Sequence, residues 1–429
     1  MPPRPLAGVR VIDLTRLLPG AYATLLMADL GADVVKIEDP RGGDPSRTLP
    51  PGAGGTSAYF RVLNRNKRSV TLDLRSRDAA SVLDRLVARA DIVVESFRPQ
   101  TARRLGVDAE SLGVRHPRLI HASISGFGQT GPSVARAAHD INFEAISGLL
   151  KVGEKGTGVV SGPIMSDEIR TENGGKAKSE GERRGRESFS RGGEPFPRVP
   201  PMLIADLGAA MHAAAGILAA LYQRERTGAG AAVEVSIHEA ALSWLLFPAA
   251  RQLVGDDPEA LEMPVRGDHA CYNIYRAADG QHLALGALEP KFWRAFCERI
   301  GRADLVPLQY VRGPGGPGDS GDAQARLLRE VRALIQTRPR DEWLAFFADV
   351  DVCLTPVNNV AEALADPHLR ARGTIARHGD STYITTPISI AQPVEVQPAP
   401  SLGVHTDQVL EEAGIDAAVR ADLRARGII

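Results

Sequence analysis

Cysteine is scarce in this chain. Cys271, Cys297 and Cys353 are the only three in 429 residues, and they stand far apart with no CxxC pair. That leaves no disulfide framework and suits a reducing compartment, so a cytoplasmic location is expected. An excess of charge of one sign is also missing: 51 Lys and Arg stand against 52 Asp and Glu, a formal net charge of -1. Bulk binding to nucleic acid or to an acidic membrane is therefore not expected. The opening, MPPRPLAGVRVIDL, carries no apolar signal core, and no apolar run reads as a membrane span. Two nucleotide fingerprints are absent as well. The first turn is DLTRLLPG, without the GxGxxG that cradles a dinucleotide, and no GxxxxGK[ST] occurs. Hydride transfer and phosphate-loop NTPase chemistry are disfavoured accordingly. No internal repeat is visible.

What the chain has in plenty is turns, with 43 Gly and 30 Pro. Its length is enough for roughly two or three domains with real cores. β-branched runs at 9–14, 33–37, 69–74, 92–97 and 119–124 alternate with helical stretches at 19–30 and 78–90. This predicts an α/β, Rossmann-like parallel sheet with helices on both faces. Glu38 ends the second run, where a ribose-binding acid would stand. The loops are basic: Arg65, Lys67 and Arg68 precede one strand, while Arg98, Arg103 and Arg104 follow another. Most such cations are solvated. At strand edges of an open sheet, however, guanidinium forks are candidate contacts to a phosphorylated cofactor such as coenzyme A.

The most informative stretch is 201–230, PMLIADLGAAMHAAAGILAALYQRERTGAG. An acid stands at its start, Ala-rich helix formers fill it, and Arg224, Arg226 and Gly228 close it. Asp206 is either the helix cap or a reacting carboxylate beside backbone amides. Upstream, the glycine loop SGFGQTGP leads into AAHDINF. His139 there is either a cap or core histidine or a general base at a helix start. Residues 151–200 are rich in Gly, Ser, Lys, Arg and Glu and are expected to form a mobile insert. A strand at 232–236 precedes a helix that opens with His238 and Glu239, either of which could simply be solvated. Asp279-Gly280 marks a hairpin in a smaller α/β section, followed by helices at 291–299, 323–336 and 340–349 and a strand at 352–357.

Together, GVRVIDLTRLLPGAYATLLMADLGADVVKIE, NRNKRSVTLDL, SGFGQTGP, AHDINF, ADLGAAMHAAAGILAALYQRERTGAG, YRAADGQHLALGALEPKFW and DVCLTPV resemble the class III CoA-transferases (CaiB/BaiF), a family that includes α-methylacyl-CoA racemase. The resemblance covers nearly all of the chain outside the insert. It implies a large α/β domain built from both ends of the chain and a smaller central α/β domain. The expected boundaries are 1–225 for the N-terminal part, with a mobile insert at about 153–198, then 226–340 for the small domain and 341–429 for the return. It also implies an interlocked homodimer, no metal or prosthetic group, and coenzyme A as part of an acyl-CoA substrate.

Within this family, transferases use one aspartate as a nucleophile, and Asp206 matches it. Racemases use the same aspartate as a base opposite a histidine, matched by His139, with a glutamate on that histidine, matched by Glu239. GALEPKFW and DVCLTPV are racemase-like, whereas SAYFRVLNRNKRS and KIEDPRGGD follow the transferase pattern. The resemblance further implies Leu72, Asp73, Leu74 and Arg75 at the adenosine end and Arg98 and Arg104 near phosphates. Ala138, His139, Asp140, Ile141, Asn142 and Phe143 would run along the pantetheine and thioester. Asp39 stands where racemases carry a CoA-binding arginine, so other arginines must supply that charge. The favoured expectation is a racemase or epimerase of 2-methylacyl-CoA thioesters. A CoA-transferase between carboxylic acids is the alternative, and a CoA-binding protein without turnover is a third reading.

Overall fold

The computed structural model describes residues 3–50, 52–53, 56–151, 199–255, 265, 267–311, 321–390 and 394–429. The insert expected at about 153–198 lies outside them. Six strands form one sheet: β1 (Arg10–Leu14), β2 (Asp33–Glu38), β3 (Lys67–Thr71), β4 (Ile92–Glu95), β5 (Ile120–Ser125) and β6 (Ala231–Ser236). Their order is β3-β2-β1-β4-β5-β6, and every pairing is parallel. This is the doubly wound order, in which crossovers run outward first to one side of β1 and then to the other. Helices α1 (Leu17–Asp29), α2 (Arg77–Val87), α3 (Pro99–Leu105), α4 (Asp140–Ser147), α5 (Ile204–Thr227) and α6 (Ile237–Ser243) flank the strands.

Side chains alternate across a strand, so the sheet feeds two cores. Val11, Val34, Ile92, Val94 and Ile120 pack with α1, α5 and α6. Ile12, Val35, Val70 and Val93 pack with α2 and with Val409, Leu410, Leu423 and Ile428 from the end of the chain. The C-terminal segment also covers the sheet's β3 edge: the Ser69 N–H donates to His405 Nδ1 at 3.1 Å, and the His405 N–H donates to the Ser69 carbonyl. A covered edge cannot template pairing with another chain.

Helix α5 has 24 residues. Alanine supplies its propensity, Gly228 closes it at φ +77°, and Arg224 and Arg226 complement its C-terminal dipole. Gly216 is needed for close packing, because a Cβ there would lie 2.7 Å from Val233 Cγ1. Contrary to the sequence reading, α5 is long and apolar enough to cross a membrane, the one such helix among the described residues. One side of it packs inward, with Ala209, Ala210, Ala213 and Ile217 fully buried.

Among the described residues two compact units emerge: 1–149 with 200–244 and 362–429, and 245–361. The boundaries expected at 225/226 and 340/341 shift for a topological reason. Residues 231–236 form β6, which pairs with β5 and so belongs to the first unit. In the second unit, the hairpin strands Tyr272–Arg276 and His282–Gly286 are extended by Leu354–Pro356. That third strand keeps residues 341–361 in the same unit.

Candidate active site

A cleft of about 260 Å³ opens beyond the carboxyl ends of β1 to β4. The strand order reverses there, and crossovers leave a gap between helices where ligands bind in doubly wound sheets. Leu72, Asp73, Leu74, Arg75 and Arg104 all line it, as do Arg16, Asp39 and Phe97. Arg98 does not: it is the exposed residue preceding α3.

Asp39 is no isolated negative charge at the rim. Arg41 reaches Asp39 and Asp73 at 2.9 Å each, and Arg75 reaches the same two carboxylates at 3.0 Å each. The four groups close a ring of alternating charge. Burial pushes the Asp39 carboxyl up, but the Arg41 amide and guanidinium outweigh it and hold the group below its usual range. The arginine side chains remain 58% and 61% exposed, so each keeps donors facing solvent. Arg41, two residues on, balances the charge of Asp39. Arg16 also stands at the rim, its guanidinium 5.7 Å from the centre of the Phe97 ring. Sequence reading singled out neither residue. The basic DPR turn signalled Arg41, and nothing signalled Arg16.

Other expected contacts are committed to the fold. Arg47 grips both oxygens of Glu38 at 2.7 Å, and the Ser69 hydroxyl donates to Glu38 at 2.6 Å, so Glu38 is not a free ribose acceptor. Arg65 pairs with Asp29, and Arg68 pairs with Asp33 and Glu412. Lys67 is fully buried and donates to Asp13, Thr24 and Asn64. Burial alone would raise Asp13, yet Lys36 and Lys67 outweigh it and hold that carboxyl at about 2. This network fixes the end of β1 beneath the cleft.

Farther along the same sheet edge lie the starts of α4 and α5. In a parallel sheet a crossover helix begins at the carboxyl edge, which brings Asp206 there. The glycine loop leading to α4 is pinned from β6: the Gln129 N–H donates to Glu234 Oε1 at 2.6 Å, and Gly128 holds φ +78°. His139 is the N-cap residue of α4. Its N–H donates to Asn142 Oδ1 at 2.9 Å, and the Asn142 N–H donates to its carbonyl at 2.8 Å. Asn142 closes the cap with its side chain and its backbone, and the imidazole is exposed. Phe143 is core, edge-on to Phe127 at 5.3 Å, whereas Ile141 is exposed and Ala138 half-buried.

Asp206 does not cap its own helix. The N-cap position is Leu203, which gives no side-chain bond. Two carboxylates of α4 serve instead: the Ile204 N–H donates to Glu144 Oε1 at 3.2 Å, and the Asp206 N–H donates to Asp140 Oδ1 at 2.9 Å. Among the described residues, the Asp206 carboxyl itself accepts no hydrogen bond. Burial first, then the charges of Asp140 and Glu144, push it up to about 7. A carboxyl there both takes and gives protons at neutral pH. Since His139 precedes Asp140, the two candidate proton-transfer groups stand on adjoining helix starts.

Glu239 is placed differently from the expectation. It is exposed on α6, its N–H capped by the Ser236 hydroxyl, and among the described residues it makes no hydrogen bond to His139. Its neighbour His238 lies edge-on to Phe127 at 5.8 Å. No described group of His, Cys, Asp and Glu is arranged to hold a metal ion.

Residues 6–406 match the family model described as CoA-transferase family III. The chain is 30% identical to the α-methylacyl-CoA racemase of Homo sapiens over 95% of this chain and 93% of that protein. It is 31% identical to an acetyl-CoA:oxalate CoA-transferase of Acetobacter aceti over 94% of each. Among solved structures, it superposes on a CaiB/BaiF family protein from Brucella suis with a TM-score of 0.73 and 26% identity, covering 96% of this chain and 100% of that one.

Proposed function

Because the chain belongs to CoA-transferase family III, we propose that it acts on acyl-CoA as a racemase or epimerase of 2-methylacyl-CoA thioesters. One observation carries this reading: His139 and Asp206 stand on adjoining helix starts, the imidazole is exposed, and among the described residues the Asp206 carboxyl accepts no hydrogen bond. An α-proton beside a thioester is weakly acidic, so its removal and return need two groups that trade protons near neutral pH. Asp206, at about 7, meets that need. In this reading the nucleotide end of coenzyme A sits in the cleft. The acyl arm then crosses the sheet edge toward β5 and β6, at ~4.8 Å per strand. Coenzyme A enters with the substrate, and no prosthetic group is called for.

Transfer of CoA between carboxylic acids is the second reading. It is favoured by Glu239, which makes no bond to His139 among the described residues, and by the CoA-transferases among the relatives. Incubation with a branched acyl-CoA in heavy water, with and without an acceptor acid, separates the two. Deuterium enters the α-position without acceptor in a racemase. Transfer with acceptor and no deuterium would leave only the second reading.

Two results follow. Arg41→Ala should raise KM for acyl-CoA about tenfold, the worth of one charge-assisted hydrogen bond, with kcat unchanged. An unaltered KM would remove Arg41 from phosphate binding. The second concerns assembly. Ile141, Ile146, Met211, Tyr222, Leu242 and Trp244 are exposed on or beside α4, α5 and α6. Apolar side chains gathered on successive helices are the mark of a covered face, and we propose that a second copy covers it in an interlocked dimer. Light scattering at low concentration should give twice the chain mass, and a monomer mass would rule the dimer out.

A further inference from the structure

Four carboxylates line the cleft, and each already has a cation. Glu38 is held by Arg47 and Asp44 by Lys36 at 3.0 Å, while Asp39 and Asp73 share Arg41 and Arg75. Two lining cations are left over. Arg16 and Arg104 are exposed, and among the described residues neither guanidinium makes a hydrogen bond or an ion pair. Asp39 feels the Arg16 charge without a bond to it. The cleft therefore carries surplus positive charge, and it is gathered at one place. Arg16 follows β1, and Arg104 lies on α3, the helix after β4. These are the neighbouring strands between which the sheet order reverses. The ring of alternating charge follows β2 and β3 instead.

The turn that presents Arg16 is held from both strands. The Thr15 N–H and hydroxyl donate to Asp13 Oδ1 at 2.9 and 2.6 Å, and Lys36 Nζ donates to the Thr15 carbonyl at 2.9 Å. From the end of β4, the Ser96 hydroxyl accepts the Arg16 N–H at 3.0 Å. The next residue, Leu17, stands at φ +60°, in the left-handed region that a leucine rarely adopts. Such a conformation persists only where the surroundings over-determine it, and it gathers at ligand sites. Resting on the acyl-CoA reading above, we infer that Arg16, together with Arg104, binds the diphosphate of coenzyme A, while Arg41 and Arg75 meet the nucleoside end with its 3′-phosphate. The order of charge along the sheet edge matches the order of groups in the ligand. The 3′-phosphate lies toward β3 and β2 and the diphosphate at β1 and β4, and the acyl arm continues toward β5 and β6. Each phosphate of the diphosphate then meets one surplus guanidinium, whose fork suits its oxygens.

Titration calorimetry with CoA, dephospho-CoA and pantetheine tests this without any need for turnover. Arg16→Ala should weaken CoA and dephospho-CoA alike, by about tenfold, the worth of one charge-assisted hydrogen bond. Pantetheine carries no phosphate and should bind variant and wild type equally. Arg16→Lys keeps the charge but loses the fork, so it should recover part of the loss. Arg41→Ala, by contrast, should weaken CoA and leave dephospho-CoA unchanged. If Arg16→Ala does not fold, Arg104→Ala must weaken CoA and dephospho-CoA together. Wild-type affinity for CoA in a folded Arg16→Ala overturns the inference and leaves the acyl-CoA reading standing. So does a loss confined to CoA, which would assign Arg16 to the 3′-phosphate. Wild type that binds neither CoA nor dephospho-CoA overturns the acyl-CoA reading, and this inference with it.

Discussion

Asp206→Asn is expected to abolish turnover while the fold survives. Under proton transfer the amide is no base, and under CoA transfer it is no nucleophile. The loss should be at least about 10³-fold, the scale on which removal of an essential reacting group is felt. Folding should be spared because α5 is capped from α4, by Glu144 and Asp140, and not by Asp206. The pH dependence of stability adds a signature. The folded-state value for Asp206 is raised, so its contribution is fully present below the unfolded value of ~4 and is lost as pH rises through about 7. Relative to wild type, the variant should therefore gain about 1–2 kcal/mol between pH 5 and pH 8. Urea unfolding at the two pH values, beside an activity assay, measures both. Activity and stability lost together would make Asp206 a structural residue.

Replacing His139 by Ala should nearly abolish interconversion of the two epimers, by about 10²-fold or more. Asn142 and the backbone both bond at the start of α4, so removal of the imidazole leaves them to hold it. Melting should shift by no more than a few degrees. Exchange of the α-hydrogen should persist for the epimer whose proton points at Asp206 and vanish for the other. NMR on each epimer in heavy water reads this directly. In the transfer reading His139 lines the thioester pocket, so the variant would bind more weakly yet still pass CoA to a free acid. Brisk transfer by wild type, with no α-hydrogen exchange on either epimer, would decide for that reading.

Local chemistry is what sequence carries well. The β-branched runs became strands because buried parallel strands require an apolar side chain on both faces, and α5 formed where alanine and a terminal glycine dictated it. Asp206 and His139 were legible because an acid or a histidine at a helix start leaves a recognisable pattern. The basic loops were misleading for the same reason. A cation beside a strand looks alike whether it lines an open cleft, as Arg104 does, or is spent on an internal carboxylate, as Lys67 is on Asp13.

By itself, then, the sequence determined the strand and helix types, the family resemblance and the two candidate proton-transfer residues, all of which depend on periodicity and near neighbours. Only the tertiary structure decided partners that lie far apart in the chain. It placed Arg41 and Arg75 around Asp39 and Asp73, closed the β3 edge with residue 405, and brought Glu144 sixty positions along to the first amide of α5. The reason is electrostatic. Whether a carboxylate is a cap, an ion-pair partner or a proton carrier depends on burial and on neighbours a few ångströms away. The sheet order that supplies those neighbours is written in no single stretch of the chain.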